Sequence, residues 1–326
     1  MITRSDFKPA WWLPGPHLQT LWVGMVRRTP AITVRRERLE LPDGDFVDLA
    51  WTTGPDTGQP LVCVFHGLEG SLDSPYASGT LGVAESLGLR GVLMHFRGCS
   101  GEPNRLPRAY HSGDTDDIRF FLKTVREREP GTTLGAVGFS LGGNALLKYL
   151  GEEGEGSPIA AAAAVSAPLQ LAACADRMSR GFSRVYQWHL LRSLKATASE
   201  KARLLRDSPI DPATIPAMNS FWAFDDGVTA PLHGFEGAAD YYERSSSRQF
   251  LPRVRTETLI LHSEDDPFMT PDVLPSASEL PPGVRLELSA GGGHVGFVGG
   301  RTPFKGSYWL EDRLQRWFVE KLVEPA

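Results

Sequence analysis

A serine flanked by glycines, Gly138-Phe139-Ser140-Leu141-Gly142, stands where the apolar run Leu134–Phe139 passes straight into an amphipathic one, Leu141–Gly151. A GxSxG match is weak by itself, so the context carries the argument. A buried strand, a sharp turn and a helix in immediate succession lift a hydroxyl clear of a sheet and aim the next backbone N–H at a reacting oxygen. Glycines at 138 and 142 remove side chains that would collide in the turn, and Gly143 permits close packing of the helix. A serine hydroxyl is a poor nucleophile until a base takes its proton. Beyond the last predicted strand there is one histidine, His294, in the glycine-rich loop Gly291-Gly292-Gly293-His294-Val295-Gly296-Phe297. It is placed to accept the Ser140 proton and later return it to a leaving group.

An acid should orient that imidazole, and in this strand–turn–helix setting it comes between the serine and the histidine in the chain. Ile159–Val165 is followed by Ser-Ala-Pro-Leu-Gln, which offers no carboxylate, whereas Thr258–His262 is followed by Ser263-Glu264-Asp265-Asp266-Pro267. Asp266 is preferred because a residue directly before proline is held extended; Asp265 is second and Glu264 third. An oxyanion needs two N–H donors. Leu141 supplies one. The other is expected from Leu68, in the loop His66-Gly67-Leu68-Glu69-Gly70, with His66 orienting the loop rather than acting as a second base. The chemistry these residues could perform is acyl transfer through a covalent acyl-enzyme.

The elements that must position them follow from the pattern. Strand-like runs at Ile32–Leu41 and Phe46–Trp51 flank a Pro-Asp-Gly-Asp turn. A turn-rich linker, Gly54–Pro60, precedes Leu61–Phe65, whose unbroken apolar character fits a strand buried on both faces of a parallel sheet. Helical spacing over Tyr76–Gly88, a strand at Gly91–Phe96, a helix over Asp114–Glu129 and the pieces named above continue an alternation of strand and helix. That rhythm implies a mostly parallel, doubly wound sheet. From Leu169 to about Pro252 the strands stop and helix and loop take over; the pattern resumes with Thr258–His262 and Val284–Ser289 and closes on a helix over Tyr308–Leu322. The expectation is an α/β core of residues 1–168 and 253–326 with a helical cap, 169–252, inserted between two strands. Residues 1–30, rich in Trp and Pro, are expected to pack across the domain surface.

Composition bounds the partners. The 326 residues are 41% hydrophobic and carry a net charge of −5, an ordinary globular balance with no basic footprint for nucleic acid. The three cysteines, Cys63, Cys99 and Cys174, cannot all pair with each other, no CxxC or clustered His/Cys spacing points to a metal, and no cofactor is called for. No apolar signal core or membrane span is evident, so a cytoplasmic protein without a stable membrane anchor is expected. Arg97, His111 and Asp114 are read as structural, with Arg97 and Asp114 as a candidate ion pair. Asp225 and Asp226 lack a third metal ligand and are read as helix-end or loop-tying carboxylates.

The motifs FKPAWWLPGPHLQTLW, HGLEGS, HFRGCSGEPNR, YHSGDTDD, GFSLGGN, HSEDDPF and GGGHVGF occur in that order across nearly the whole chain. Together they resemble the YheT-like α/β-hydrolases, bacterial proteins assigned as esterases and related to the ABHD-type membrane hydrolases of eukaryotes. The resemblance implies the α/β-hydrolase fold, a triad matching Ser140, Asp266 and His294, and carboxylesterase activity on a small-molecule ester; it says little about which ester. Two other readings use the same residues or the same scaffold. One is an acyltransferase working through the same acyl-enzyme. The other is a non-catalytic small-molecule binder, against which the complete set of site residues argues.

Overall fold

The structure, a computed structural model, describes residues 1–54, 58–204 and 208–324. Residues 55–57 of the expected linker, 205–207 of the expected insertion and 325–326 of the last core segment lie outside the described residues. Nine strands form one sheet: β1 (Ile2–Arg4), β2 (Val34–Glu40), β3 (Phe46–Thr52), β4 (Leu61–Phe65), β5 (Arg90–Met94), β6 (Leu134–Phe139), β7 (Ile159–Val165), β8 (Glu257–Ser263) and β9 (Val284–Ser289). Their order is β1-β9-β8-β7-β6-β4-β5-β3-β2. All neighbours are parallel except β3 against β5 and β2 against β3, the hairpin made by the Pro-Asp-Gly-Asp turn.

The apolar runs read as central strands are central because both of their faces are covered. Along β4, Leu61, Cys63 and Phe65 point into one core with Ile118, Phe121 and Leu146, while Val62 and Val64 point into another with Leu81 and Trp317, all on flanking helices. All five β4 side chains are fully buried, and each large one contributes roughly 1.5–3 kcal/mol by leaving water. The helices concerned are α1 (Pro16–Met25), α2 (Pro75–Ser86), α3 (Asp116–Arg128), α4 (Leu141–Glu153) and α10 (Trp309–Phe318). Asp116 and Asp117 occupy the first turn of α3, where the helix dipole favours negative charge.

Between β7 and β8 the chain runs through α5 (Leu171–Met178), α6 (Ser183–Leu204), the short α7 (Phe221–Phe224) and α8 (Ala230–His233), and α9 (Ala238–Ser245). These helices bury small cores of their own, one around Leu171, Ala175, Tyr241 and Tyr242 and another around Leu191, Ile215, Phe224 and Val228. The returning segment Ser247–Arg253 packs on α4, so tightly that a Cβ on Gly151 would lie 2.4 Å from the Phe250 carbonyl oxygen.

The first thirty residues do more than cover a surface. Ile2–Arg4 adds an edge strand in register with Leu286–Leu288, a pairing too short to show any periodicity. Helix α1 lies under the loop that carries His294, beside a two-stranded ribbon of β10 (Val298–Gly299) and β11 (Ser307–Tyr308). Buried Gln19 clamps that ribbon: its amide donates to the Val298 carbonyl at 3.0 Å and its oxygen accepts the Val298 N–H at 2.7 Å.

Candidate active site

Strand β6 delivers Ser140 into a backbone conformation that side chains rarely adopt, φ 50° and ψ −117°. Such a residue costs of order 1–3 kcal/mol and persists only where its surroundings over-determine it. Here the Ser140 N–H donates to the Val165 carbonyl at 2.8 Å, and its carbonyl accepts the Asn144 N–H at 3.0 Å. The glycines of the motif are required sterically. A Cβ on Gly138 would lie 2.4 Å from the Gly142 carbonyl oxygen, and one on Gly142 2.4 Å from that of His66. Asn144, to which the sequence reading assigned no role, is fully buried; its amide donates to the Ser112 and Ser245 carbonyls, both at 2.8 Å, and its oxygen accepts the Ser247 N–H at 3.0 Å.

His294, in the loop that follows β9, reaches Ser140. Its Nε2 lies 2.9 Å from Ser140 Oγ, and its Nδ1 lies 2.8 Å from Asp266 Oδ2. The second oxygen of Asp266 accepts the Phe268 N–H at 2.8 Å, and the Phe268 ring stacks on the imidazole with centroids 4.0 Å apart. Burial pushes the Asp266 carboxyl up, but the neighbouring His294 and His262 rings and the Phe268 amide outweigh it and hold the group below the usual carboxylate range. The three candidate carboxylates have separate partners. Asp265 accepts the Gly293 N–H at 2.9 Å and a hydroxyl bond from Ser263, and Glu264 pairs at the surface with Arg4 at 2.7 Å. The His294 N–H itself donates to Thr20 Oγ1 at 2.9 Å, and that hydroxyl donates to the Pro16 carbonyl at 2.8 Å. Helix α1 is therefore the platform of the histidine loop, a role with no local signal in the sequence.

The loop after β4 lies against the serine: a Cβ on Gly67 would be 3.3 Å from that of Ser140. Its Leu68 N–H meets no acceptor among the described residues, and Leu141, first residue of α4, has an amide without an intrahelical partner. His66 is fully buried between backbone groups, its Nδ1–H directed to the Gly67 carbonyl at 2.7 Å and its Nε2 accepting the Phe96 N–H at 3.0 Å. Burial pushes its imidazole down to about 3, so it stays neutral and orients the loop. A cavity of about 850 Å³ opens from Ser140 and His294 into the insertion, where Leu171, Met178, Leu194, Phe224 and Val228 line it.

Arg97 pairs differently from expectation. Its guanidinium grips Asp117 through two bonds of 2.7 Å and also reaches Asp43 and Asp45, while Asp114 pairs with Arg108 at 2.7 Å. The first turn of α3 aims Asp117, rather than the loop residue Asp114, at Arg97. Half-buried Asp225, at the start of the helical turn Asp225–Thr229, accepts hydroxyl bonds from Thr229 and Tyr242, both 2.6 Å, and Asp226 accepts the Ala238 N–H. His111, Asp114 and His233 bring one donor atom each within 4.8 Å of one another, but Asp114 makes no ion pair with either ring. Zinc bonds near 2.1 Å would draw such donors to about 3.4 Å apart, so the looser triangle carries no metal assignment. Among the described residues no helix is long and apolar enough to cross a membrane.

Residues 60–300 match the family model described as the alpha/beta hydrolase fold. The chain is 47% identical to "Putative esterase YheT" of Escherichia coli (strain K12), over 98% of this chain and 95% of that protein. It is 29% identical to phospholipase ABHD3 of Mus musculus, over 99% of this chain and 80% of that one. Among solved structures, the esterase Pf2001 of Pyrococcus furiosus superposes with a TM-score of 0.58 at 15% identity, covering 99% and 98% of the two chains, a likeness of fold alone. By family model, near full-length relatives and sheet architecture together, this chain belongs to the α/β-hydrolase family, in its YheT-like group, and is an enzyme of the esterase class.

Proposed function

We propose that the protein hydrolyses carboxylic esters through an acyl-enzyme on Ser140, with His294 as general base and acid and Asp266 as its orienting carboxylate. The observation that carries this reading is the continuous line of hydrogen bonds from Ser140 Oγ through the imidazole to Asp266, 2.9 and 2.8 Å long. As Oγ attacks the ester carbonyl, its proton passes to His294 Nε2, and Asp266 stabilises the imidazolium through Nδ1–H. The Leu68 and Leu141 amides are the donors for the developing oxyanion. His294 then protonates the departing alcohol; water enters, gives a proton to Nε2 and attacks the acyl carbonyl, and as the bond to Ser140 Oγ breaks His294 returns that proton to Oγ, releasing the acid and restoring the serine hydroxyl. The helices of 171–245 act as a cap, and the apolar cavity beneath them suits short- to medium-chain acyl groups. A phospholipase among the relatives keeps glycerolipid esters within the substrate class to be screened.

A panel of p-nitrophenyl and glycerol esters of graded acyl length, together with labelling by a fluorophosphonate probe, tests this. Hydrolysis and labelling should both vanish in Ser140→Ala. Wild-type turnover by folded Ser140→Ala would overturn the assignment.

A further inference from the structure

The loop that carries Leu68 is pinned on both sides of that residue by phenols. The Gly67 N–H donates to the Tyr76 hydroxyl at 2.9 Å, and the Glu69 N–H donates to the Tyr110 hydroxyl at 2.8 Å. Between them the Leu68 N–H has no protein acceptor among the described residues. Glu69 itself sits at φ 54°, a left-handed conformation that a residue with a side chain holds only under external constraint.

The constraint comes from its own carboxylate. The Tyr110 hydroxyl, having accepted the Glu69 amide, donates back to Glu69 Oε1 at 2.9 Å, closing a ring between the loop and the core. Tyr110 is rigid, its ring stacked on Phe96 with centroids 5.3 Å apart and planes 10° from parallel. The other oxygen, Oε2, accepts the Ser193 hydroxyl at 2.7 Å and the Thr197 hydroxyl at 3.5 Å. Ser193 and Thr197 are one turn apart on a single face of α6, the long helix of the insertion. Glu69, Ser193 and Thr197 all line the cavity, so these bonds join the loop to α6 along its wall. Charge matters as well. A carboxylate one residue from an oxyanion site opposes the negative charge that develops there, unless hydroxyl donors draw its own charge away. Three do so here, and two of them belong to α6.

We propose that Glu69 is a positioning residue, orienting the Leu68 N–H and making its alignment depend on α6 being seated over the cavity. This inference rests on the reading of Ser140 and Leu68 given above. When α6 lifts, the carboxylate loses Ser193 and Thr197, the left-handed turn loses part of its support, and the oxyanion donor drifts from register. Chemistry is thereby tied to the seated position of α6.

The test is a set of variants of the full chain assayed with a p-nitrophenyl ester, each rate divided by the active-site concentration titrated with fluorophosphonate. The pair Ser193→Ala/Thr197→Val should lower kcat about fivefold with KM within about twofold, and Glu69→Ala should lower kcat about thirtyfold, short of the full loss of an oxyanion donor. Glu69→Gln, which keeps an acceptor for Tyr110 or Ser193, should retain kcat within about threefold. Adding the α6 pair to Glu69→Ala should cost nothing more, because the shared contact is already gone. If Glu69→Ala fails to fold, the α6 pair and Glu69→Gln still decide the matter. A kcat unchanged in the α6 pair, or losses that add in the combined variant, would overturn the inference. Ser140→Ala, whose rate is taken per total protein because it should not label, separates the two levels: full activity there refutes the site itself, whereas its inactivity beside an unaffected α6 pair refutes only the role of Glu69.

Discussion

Replacing Asp266 by asparagine tests the orientation of the imidazole with almost no change in shape. One carboxylate oxygen accepts the Phe268 N–H at 2.8 Å and the other faces His294 Nδ1 at 2.8 Å. In Asp266→Asn the side-chain carbonyl keeps the Phe268 amide, since the NH₂ group cannot accept a hydrogen bond. The NH₂ must then face Nδ1, which can only accept, so the imidazole proton moves to Nε2 and points at Ser140 Oγ. The base is present, correctly placed and in the wrong tautomer. Where this inversion has been made in serine proteases the loss is about 10⁴-fold in kcat, or about 5.5 kcal/mol of transition-state stabilisation. The same size of loss is expected here, with KM changed little. Steady-state hydrolysis of a p-nitrophenyl ester, run beside thermal unfolding, measures it. Asp265→Asn is the matched control: Asp265 touches the Gly293 amide and the Ser263 hydroxyl but not the ring, so its loss should stay within about tenfold. Folded Asp266→Asn retaining a tenth of wild-type kcat, or Asp265→Asn falling further than Asp266→Asn, would refute the reasoning.

Other perturbations read other parts of the structure. Gly142→Ala places a methyl 2.4 Å from one backbone oxygen and 2.5 Å from another, so it should cost about 3 kcal/mol or more in urea unfolding; Gly82→Ala, in α2 with nothing within 4 Å, should instead add about 0.5–1 kcal/mol. Equal effects at the two positions would contradict the packing described. Thr20→Val leaves the His294 N–H without its acceptor, and should cost about 1–3 kcal/mol and lower kcat more than it raises KM; an unchanged melting temperature and kcat would show that α1 is not the platform of the loop. Burial pushes the Asp225 carboxyl up to about 6, against the Thr229 and Tyr242 hydroxyls that pull it down. Its folded pKa is thus above its unfolded one, so the associated stability is complete below about pH 4 and is lost as pH rises through 6, by up to about 3 kcal/mol. Asp225→Asn should flatten that part of the melting curve against pH, and a slope as steep as wild type would place its origin elsewhere.

Much of the fold was legible because its signals are local. Unbroken apolar runs such as Leu61–Phe65 mark strands covered on both faces, and the change from such a run to helical spacing marks a strand-to-helix turn. The elbow at Ser140 was legible for the same reason: strand, glycine, serine, glycine and helix are contiguous, and the turn admits nothing larger at 138 or 142. His294 stood out as the histidine beyond the last predicted strand, Val284–Ser289, and the three carboxylates after β8 were confined to adjacent positions. Beyond that the sequence was silent, because the remaining contacts join segments that only the order of strands brings together. Among those carboxylates Pro267 ranked Asp266 first, but the direction each side chain takes in one tight loop is set by tertiary packing. Arg97 meets Asp117 instead of Asp114 because the first turn of α3 rotates that residue inward. Thr20 reaches the His294 amide from the far end of the chain, and Ser193 reaches Glu69 from a helix inserted between β7 and β8. Periodicity records how a segment meets water and core. Partners across a cavity are set by the packing of whole elements, and that was decided only in three dimensions.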